Sequence, residues 1–170
     1  MTQAPPEEIG RELSDLAFGI IEQNWLEIHV GKVVDLKDLP PEQLNAAEWE
    51  LTYLILFAIT KGCGSFSGTD PERTTAVLKT FHSTLLRHIA DQAGQDIADG
   101  HQNNLPSRYR LYGEAIKDEA MDGPYRVLGE AAAIQLLGRP IEAPPLADNF
   151  RETIKVIFSE VRSAATKVMR

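Results

Sequence analysis

Apolar residues in this chain recur at three- and four-residue spacing, and no stretch alternates with period two for long enough to make a strand. The pattern predicts an all-α fold, a single bundle of about six helices covering residues 1–170. The first helix runs from about Pro6 to His29. Ile9, Leu13, Leu16 and Ile20 form one stripe, and Ala17, Ile21, Trp25 and Ile28 form a second beside it. Together the stripes cover roughly half the circumference, wider than a helix resting on a single neighbour needs. Gly31 is placed to end this helix.

A second helix is predicted from Pro40-Pro41, where proline suits a first turn whose amides have no partner. Leu39 and Leu44 stand at hydrophobic-staple spacing there. Between Leu51 and Ile59 apolar residues occupy every side, so the helix from Glu42 to Thr60 is expected at the centre of the bundle. Residues 62–68, Gly62-Cys63-Gly64-Ser65-Phe66-Ser67-Gly68, read as a flexible elbow. The third helix is capped either by Asp70, with Pro71 at the first position, or by a Thr69–Glu72 capping box. It presents Val77, Leu78, Phe81, Leu85 and Ile89, and the pattern continues through Ala93 and Ile97 towards Gly100, with Gly94 as a weak point.

His101 to Pro106 reads as a loop, and Ser107 as the cap of a fourth helix carrying Tyr109, Tyr112, Ile116 and Ala120. Asp122-Gly123-Pro124 is a turn into a fifth helix, Tyr125 to Leu137, closed by Gly138. Residues 139–147 form a Pro-rich crossover. Asn149 and Glu152 have capping-box spacing ahead of a last helix with Phe150, Ile154, Ile157, Phe158, Val161 and Val168 on one face.

Composition acts mainly by exclusion. The formal net charge is -8 across 170 residues, so the clustered cations that neutralise nucleic-acid phosphates are lacking. The last helix carries Arg151, Lys155 and Arg162 along one flank, yet Glu152 and Glu160 share that helix. The longest apolar run, Leu51 to Ile59, is far short of the roughly 20 residues of a membrane span. Met1 to Glu12 has neither the basic nor the apolar region of a signal peptide. Cys63 is the only cysteine, which leaves no internal disulfide and no thiolate metal cluster. These features point to a soluble chain in the cytoplasm, with no membrane and no nucleic acid among its partners.

Candidate chemistry is sparse. Lys61, the glycines and the start of the third helix resemble an anion-binding arrangement, although the segment follows a helix and not a strand. Cys63 would need a neighbouring cation or histidine to act as a nucleophile. His82 and His88, six apart on one helix, point roughly 120° away from each other and cannot readily share a metal. Arg108, Tyr109, Arg110 and Tyr112 form the densest aromatic–basic cluster, suited to a phosphate or planar ligand, but Glu114, Asp118, Glu119 and Asp122 follow at once. Tyr109-Arg110-Leu111-Tyr112-Gly113-Glu114-Ala115 resembles Tyr125-Arg126-Val127-Leu128-Gly129-Glu130-Ala131, with a helix-interior glycine in each copy. No metal and no cofactor is expected.

With no spacing that brings two catalytic groups together, the expected function is a non-catalytic protein–protein interaction or regulatory protein that self-associates. Its interface would use Phe18, Ile21, Trp25 and Ile28, the surplus of the first helix's apolar arc. The alternative is a small-molecule-binding protein or small enzyme with a site near the 61–70 loop. Lys61, Cys63, His82, His88, Arg108, Tyr109 and Tyr112 are its candidate ligand residues.

Overall fold

The computed structural model describes residues 4–64, 68–117 and 125–170, and every regular element in them is helical. Six α-helices follow in order: α1 (Pro6–Glu22), α2 (Pro41–Gly64), α3 (Pro71–Ala93), α4 (Gln95–Lys117), α5 (Arg126–Leu137) and α6 (Pro144–Val168). A π turn at Leu26–Val30 and a short 3-10 turn at Leu36–Asp38 bridge α1 to α2. Among the described residues no helix is long and apolar enough to cross a membrane.

The all-round apolar stretch of α2 lies at the centre. Residues Leu51 to Ile59 are all buried, and α2 touches each of the other five helices. An apolar helix of that kind is stable only when neighbours enclose it. Phe57 shows why: its ring packs at 5.8 Å from each of Tyr109, Tyr112 and Phe158. The predicted face of α6 is buried as expected at Phe150, Ile154, Ile157, Phe158 and Val161. α1 packs mainly on α3, where a Cβ on Gly10 would fall 2.6 Å from Thr80. Ser14 closes the contact by donating to the carbonyl oxygens of Gly10 and Phe81.

Several boundaries move, each for a local reason. α1 stops at Glu22 because Asn24 takes a left-handed φ of 52°, which asparagine tolerates better than most residues. The chain then resumes as the π turn instead of continuing as one helix to His29. Asp70 is the cap of α3, accepting from the Arg73 amide at 3.0 Å, which decides between the two caps expected there. α3 ends at Gly94 (φ 98°), so Ile97 does not extend its face but sits 46% exposed on the next helix. The loop expected over His101–Pro106 is helical: α4 runs straight through Pro106. An interior proline costs one amide bond and its ring clashes with the preceding turn, and here the packing of buried Leu105, Tyr112 and Ala115 on the same helix offsets that cost. Ser107 accordingly does not cap; it donates to the Asn104 carbonyl.

The crossover is shorter than 139–147, since α6 already begins at Pro144 and leaves Asn149 and Glu152 inside it. Gly138, at φ 69°, ends α5 as expected. The elbow also shrinks, because Gly62, Cys63 and Gly64 belong to α2. Gly62 is there for packing: a Cβ would lie 2.7 Å from the Arg162 carbonyl oxygen of α6. Ser65 to Ser67, Ala120 and the turn at Asp122–Pro124 lie outside the described residues.

Candidate functional site

Most of the polar residues singled out from the sequence meet in a seam where α4 lies along α2, with α3 contributing one histidine. Helical spacing builds it. On α4, His101, Arg108 and Tyr112 stand at intervals of seven and four; on α2, Glu50, Tyr53, Phe57 and Thr60 recur every three or four residues, so each set faces the other.

At one end the His101 ring lies on Trp49 with centroids 3.6 Å apart, and its Nδ1 is 2.5 Å from the Tyr53 hydroxyl. Burial lowers the His101 pKa and raises that of Tyr53. In the middle, Arg108 grips Glu50 with both arms of its guanidinium: Nε lies 2.8 Å from each carboxylate oxygen, and Nη2 also reaches Oε1. Glu50 is buried. Its carboxylate raises the Arg108 pKa further, and the pair answers the desolvation that a lone buried charge would suffer. Next to it stands Tyr112, wholly buried, whose hydroxyl has no hydrogen-bond partner among the described residues.

At the far end His82 Nδ1 lies 2.8 Å from the Leu78 carbonyl oxygen, which can only accept, so Nδ1 carries the proton. Burial pushes the His82 pKa down and keeps the ring neutral. Nε2 then accepts from the Tyr109 hydroxyl at 2.8 Å. Thr60 Oγ1 lies 3.4 Å from the same hydroxyl while donating to the Leu56 carbonyl at 2.9 Å. Burial raises the Tyr109 pKa, and nearby Cys63 adds to the rise. Cys63 itself is fully buried, and burial pushes its thiol up to about 12. A thiol at that value carries essentially no thiolate at neutral pH, so it packs as a small apolar group.

The sequence candidates thus divide. Arg108, Tyr109, Tyr112, His82 and Cys63 are gathered along the seam. Lys61 turns outward, its Nζ 5.3 Å from the Phe57 ring centroid. His88 goes elsewhere, stacked on Phe18 of α1 at 4.0 Å. Trp49, Glu50, Tyr53 and His101 were missed; seven-residue spacing between His101 and Arg108 was visible, but Pro106 hid it by reading as a loop. Apart from the Tyr112 hydroxyl, the partners in this seam satisfy one another, and its residues do not line the hollows described below. A buried polar network of this kind helps to fix helix register. Among the described residues, no three His, Cys, Asp or Glu side chains converge as a metal site requires.

Two apolar hollow regions stand out among the described residues. One lies at the connector between α5 and α6. A cavity of about 210 Å³ is lined by Gly129, Ala133, Ile134, Ile141 and Phe150, with Glu130 and Arg151 at its edge. It shares Pro140 and Ile141 with a second hollow of about 310 Å³ that reaches Val34, Leu137 and Leu146. Arg151 bridges Glu130 and Asp148 at 3.1 and 2.9 Å. The other region lies where α1 gives way to the π turn. There Ile21, Trp25 and Leu26 wall a cavity of about 250 Å³ whose floor is Leu51, Thr52 and Ile55 of α2, with Asn24 and Glu48 beside it. Of the four expected interface residues, Ile21 and Trp25 line this cavity and Ile28 stands 42% exposed, while Phe18 lines a separate groove against α3.

No protein-family model matches the chain, and no curated protein or solved structure matches it either.

Proposed function

We propose that this chain is a non-catalytic helical interaction protein, acting in the cytoplasm, that pairs with a second copy of itself. The observation that supports the reading is the double hollow at the α5–α6 connector. Ile134 and Leu146 border it at 48% and 36% exposure, large for aliphatic side chains. A two-fold pairing brings the same patch of each copy together, so the patch must carry both projection and recess. This one carries both: Ile134 projects beside a recess lined by Ala133, Ile141 and Phe150. Its charges are also self-complementary. Arg139 and Glu142 flank Pro140-Ile141, are exposed, and form no ion pair among the described residues. In an antiparallel apposition each Arg139 meets the partner's Glu142.

Native mass spectrometry with light scattering tests the pairing. The expected result is a dimer in the micromolar range that Leu146→Asp or Ile134→Asp weakens by about 30-fold or more, with helicity unchanged by circular dichroism. A wild-type monomer at every accessible concentration, or a dimer that survives both substitutions, overturns it.

A further inference from the structure

The cavity beside Trp25 lies where α1 ends over the central helix. α2 is apolar on all sides, and α1 would shield it there if it continued. The left-handed turn at Asn24 ends α1 and swings the π turn aside, so Leu51, Thr52 and Ile55 floor an open cavity of about 250 Å³. That is room for one bulky apolar side chain from outside.

What surrounds the cavity selects the occupant. Glu48 lines it, and Glu22 and Glu27 stand exposed on the segments to either side of Asn24–Leu26. On its other side α1 forms a separate groove against α3, which Asp15, Glu22 and Asp91 line together with Arg87 and His88. None of Asp15, Glu22, Glu27, Glu48 and Asp91 is in an ion pair among the described residues. A second copy of this acidic face would be repelled, because like charges set against each other oppose association. Gly19 lies in the same groove with open space where a Cβ would be, so no close approach within the chain accounts for it.

We propose that the Trp25 cavity docks an amphipathic helix of another protein, one that inserts a single bulky apolar anchor and lays flanking Lys or Arg side chains along the unpaired carboxylates. Helix-in-groove recognition works through anchors of this kind at helical spacing. The inference rests on the reading of the chain as an interaction protein but uses a different face from the one that pairs.

The probe is a synthetic Leu–Lys amphipathic peptide of roughly 18 residues, long enough to be helical in water, titrated calorimetrically beside a Leu–Glu twin. The Leu–Lys peptide should bind and the twin should not. Glu48→Lys, an exposed substitution that leaves the fold intact, should weaken binding about tenfold, whereas Glu142→Lys, at a residue that lines the other hollow, should leave it unchanged. Leu146→Asp protein should bind as the wild type does, so failure of self-pairing leaves docking standing and the reverse holds equally. No binding, equal binding of both peptides, or indifference to Glu48→Lys overturns the proposal. So does loss of a wild-type dimer on Glu48→Lys, which would make the occupant a second copy.

Discussion

The two hollow regions have similar floors and opposite rims. Both are lined by aliphatic and aromatic side chains where the chain changes direction, one at Asn24 and one at the Gly138–Ala143 connector. Apolar area alone would recommend either for any greasy partner. The rims separate them. Around the connector, charges are balanced: Arg126 and Arg151 are tied to Glu130 and Asp148, and Arg139 and Glu142 offer one charge of each sign. Around Trp25 the carboxylates outnumber the cations and are unpaired. A balanced rim can face its own copy, whereas an acidic rim excludes its copy and favours a basic one. Burial supplies the attraction and charge chooses the partner.

Glycine chemistry gives the largest expected contrast between the regions. Gly129 lines the connector cavity with Arg151 against it, so a Cβ would fall 2.7 Å from Arg151 Cγ and 3.0 Å from its Cα. Gly129→Ala should lower unfolding free energy by about 1–3 kcal/mol, the usual penalty of overpacking. Gly19→Ala should raise it by about 1 kcal/mol, since the helix gains a better former with nothing in its way. Urea titration of both variants measures the two signs; equal signs would show that the groove at Gly19 is filled by the chain itself.

A charge-reversal cycle sharpens the comparison at somewhat smaller cost. Arg139→Glu and Glu142→Arg should each weaken self-pairing about tenfold, and the double variant should restore most of it, since two symmetry-related pairs reverse together. Dimer dissociation followed by light scattering gives the coupling directly. An additive double variant would remove the two residues from the contact. Peptide docking at Trp25 should not respond to any of the three.

Salt gives the smallest effect. Raising ionic strength from roughly 0.05 to 0.5 M should weaken Leu–Lys peptide docking by about threefold to tenfold, because exposed charges are screened over a few ångströms. Self-pairing, driven mainly by Ile134 and Leu146, should weaken less over that range, through the screening of Arg139 and Glu142 alone.

The polar seam shows why the candidate residues were only partly legible. Arg108, Tyr109 and Tyr112 stand out as a cluster because they are close in sequence, which suits a ligand or a salt-bridged surface alike. Along the seam they take different partners: Arg108 turns to Glu50, Tyr109 to His82, and Tyr112 is buried against Phe57. His82 was expected near the elbow and reaches the same seam by a different route, through Tyr109. Pro106 hid the continuity of α4, because its local cost is plain in the sequence while the packing that offsets it is not.

From the sequence alone follow the all-α class, the central place of α2, the inward face of α6, and the surplus of apolar positions along α1. These are periodicities, and a helix writes its burial into its own residue spacing. Only the tertiary structure decided where that surplus goes. It split Phe18 from Ile21 and Trp25 onto two sides of α1, opened the cavity over Leu51 and Ile55, and exposed Ile134 and Leu146 beside a connector that the sequence marked only as Pro-rich. The reason is physical: whether an apolar residue ends covered depends on which distant helix reaches it, and no local pattern carries that distance.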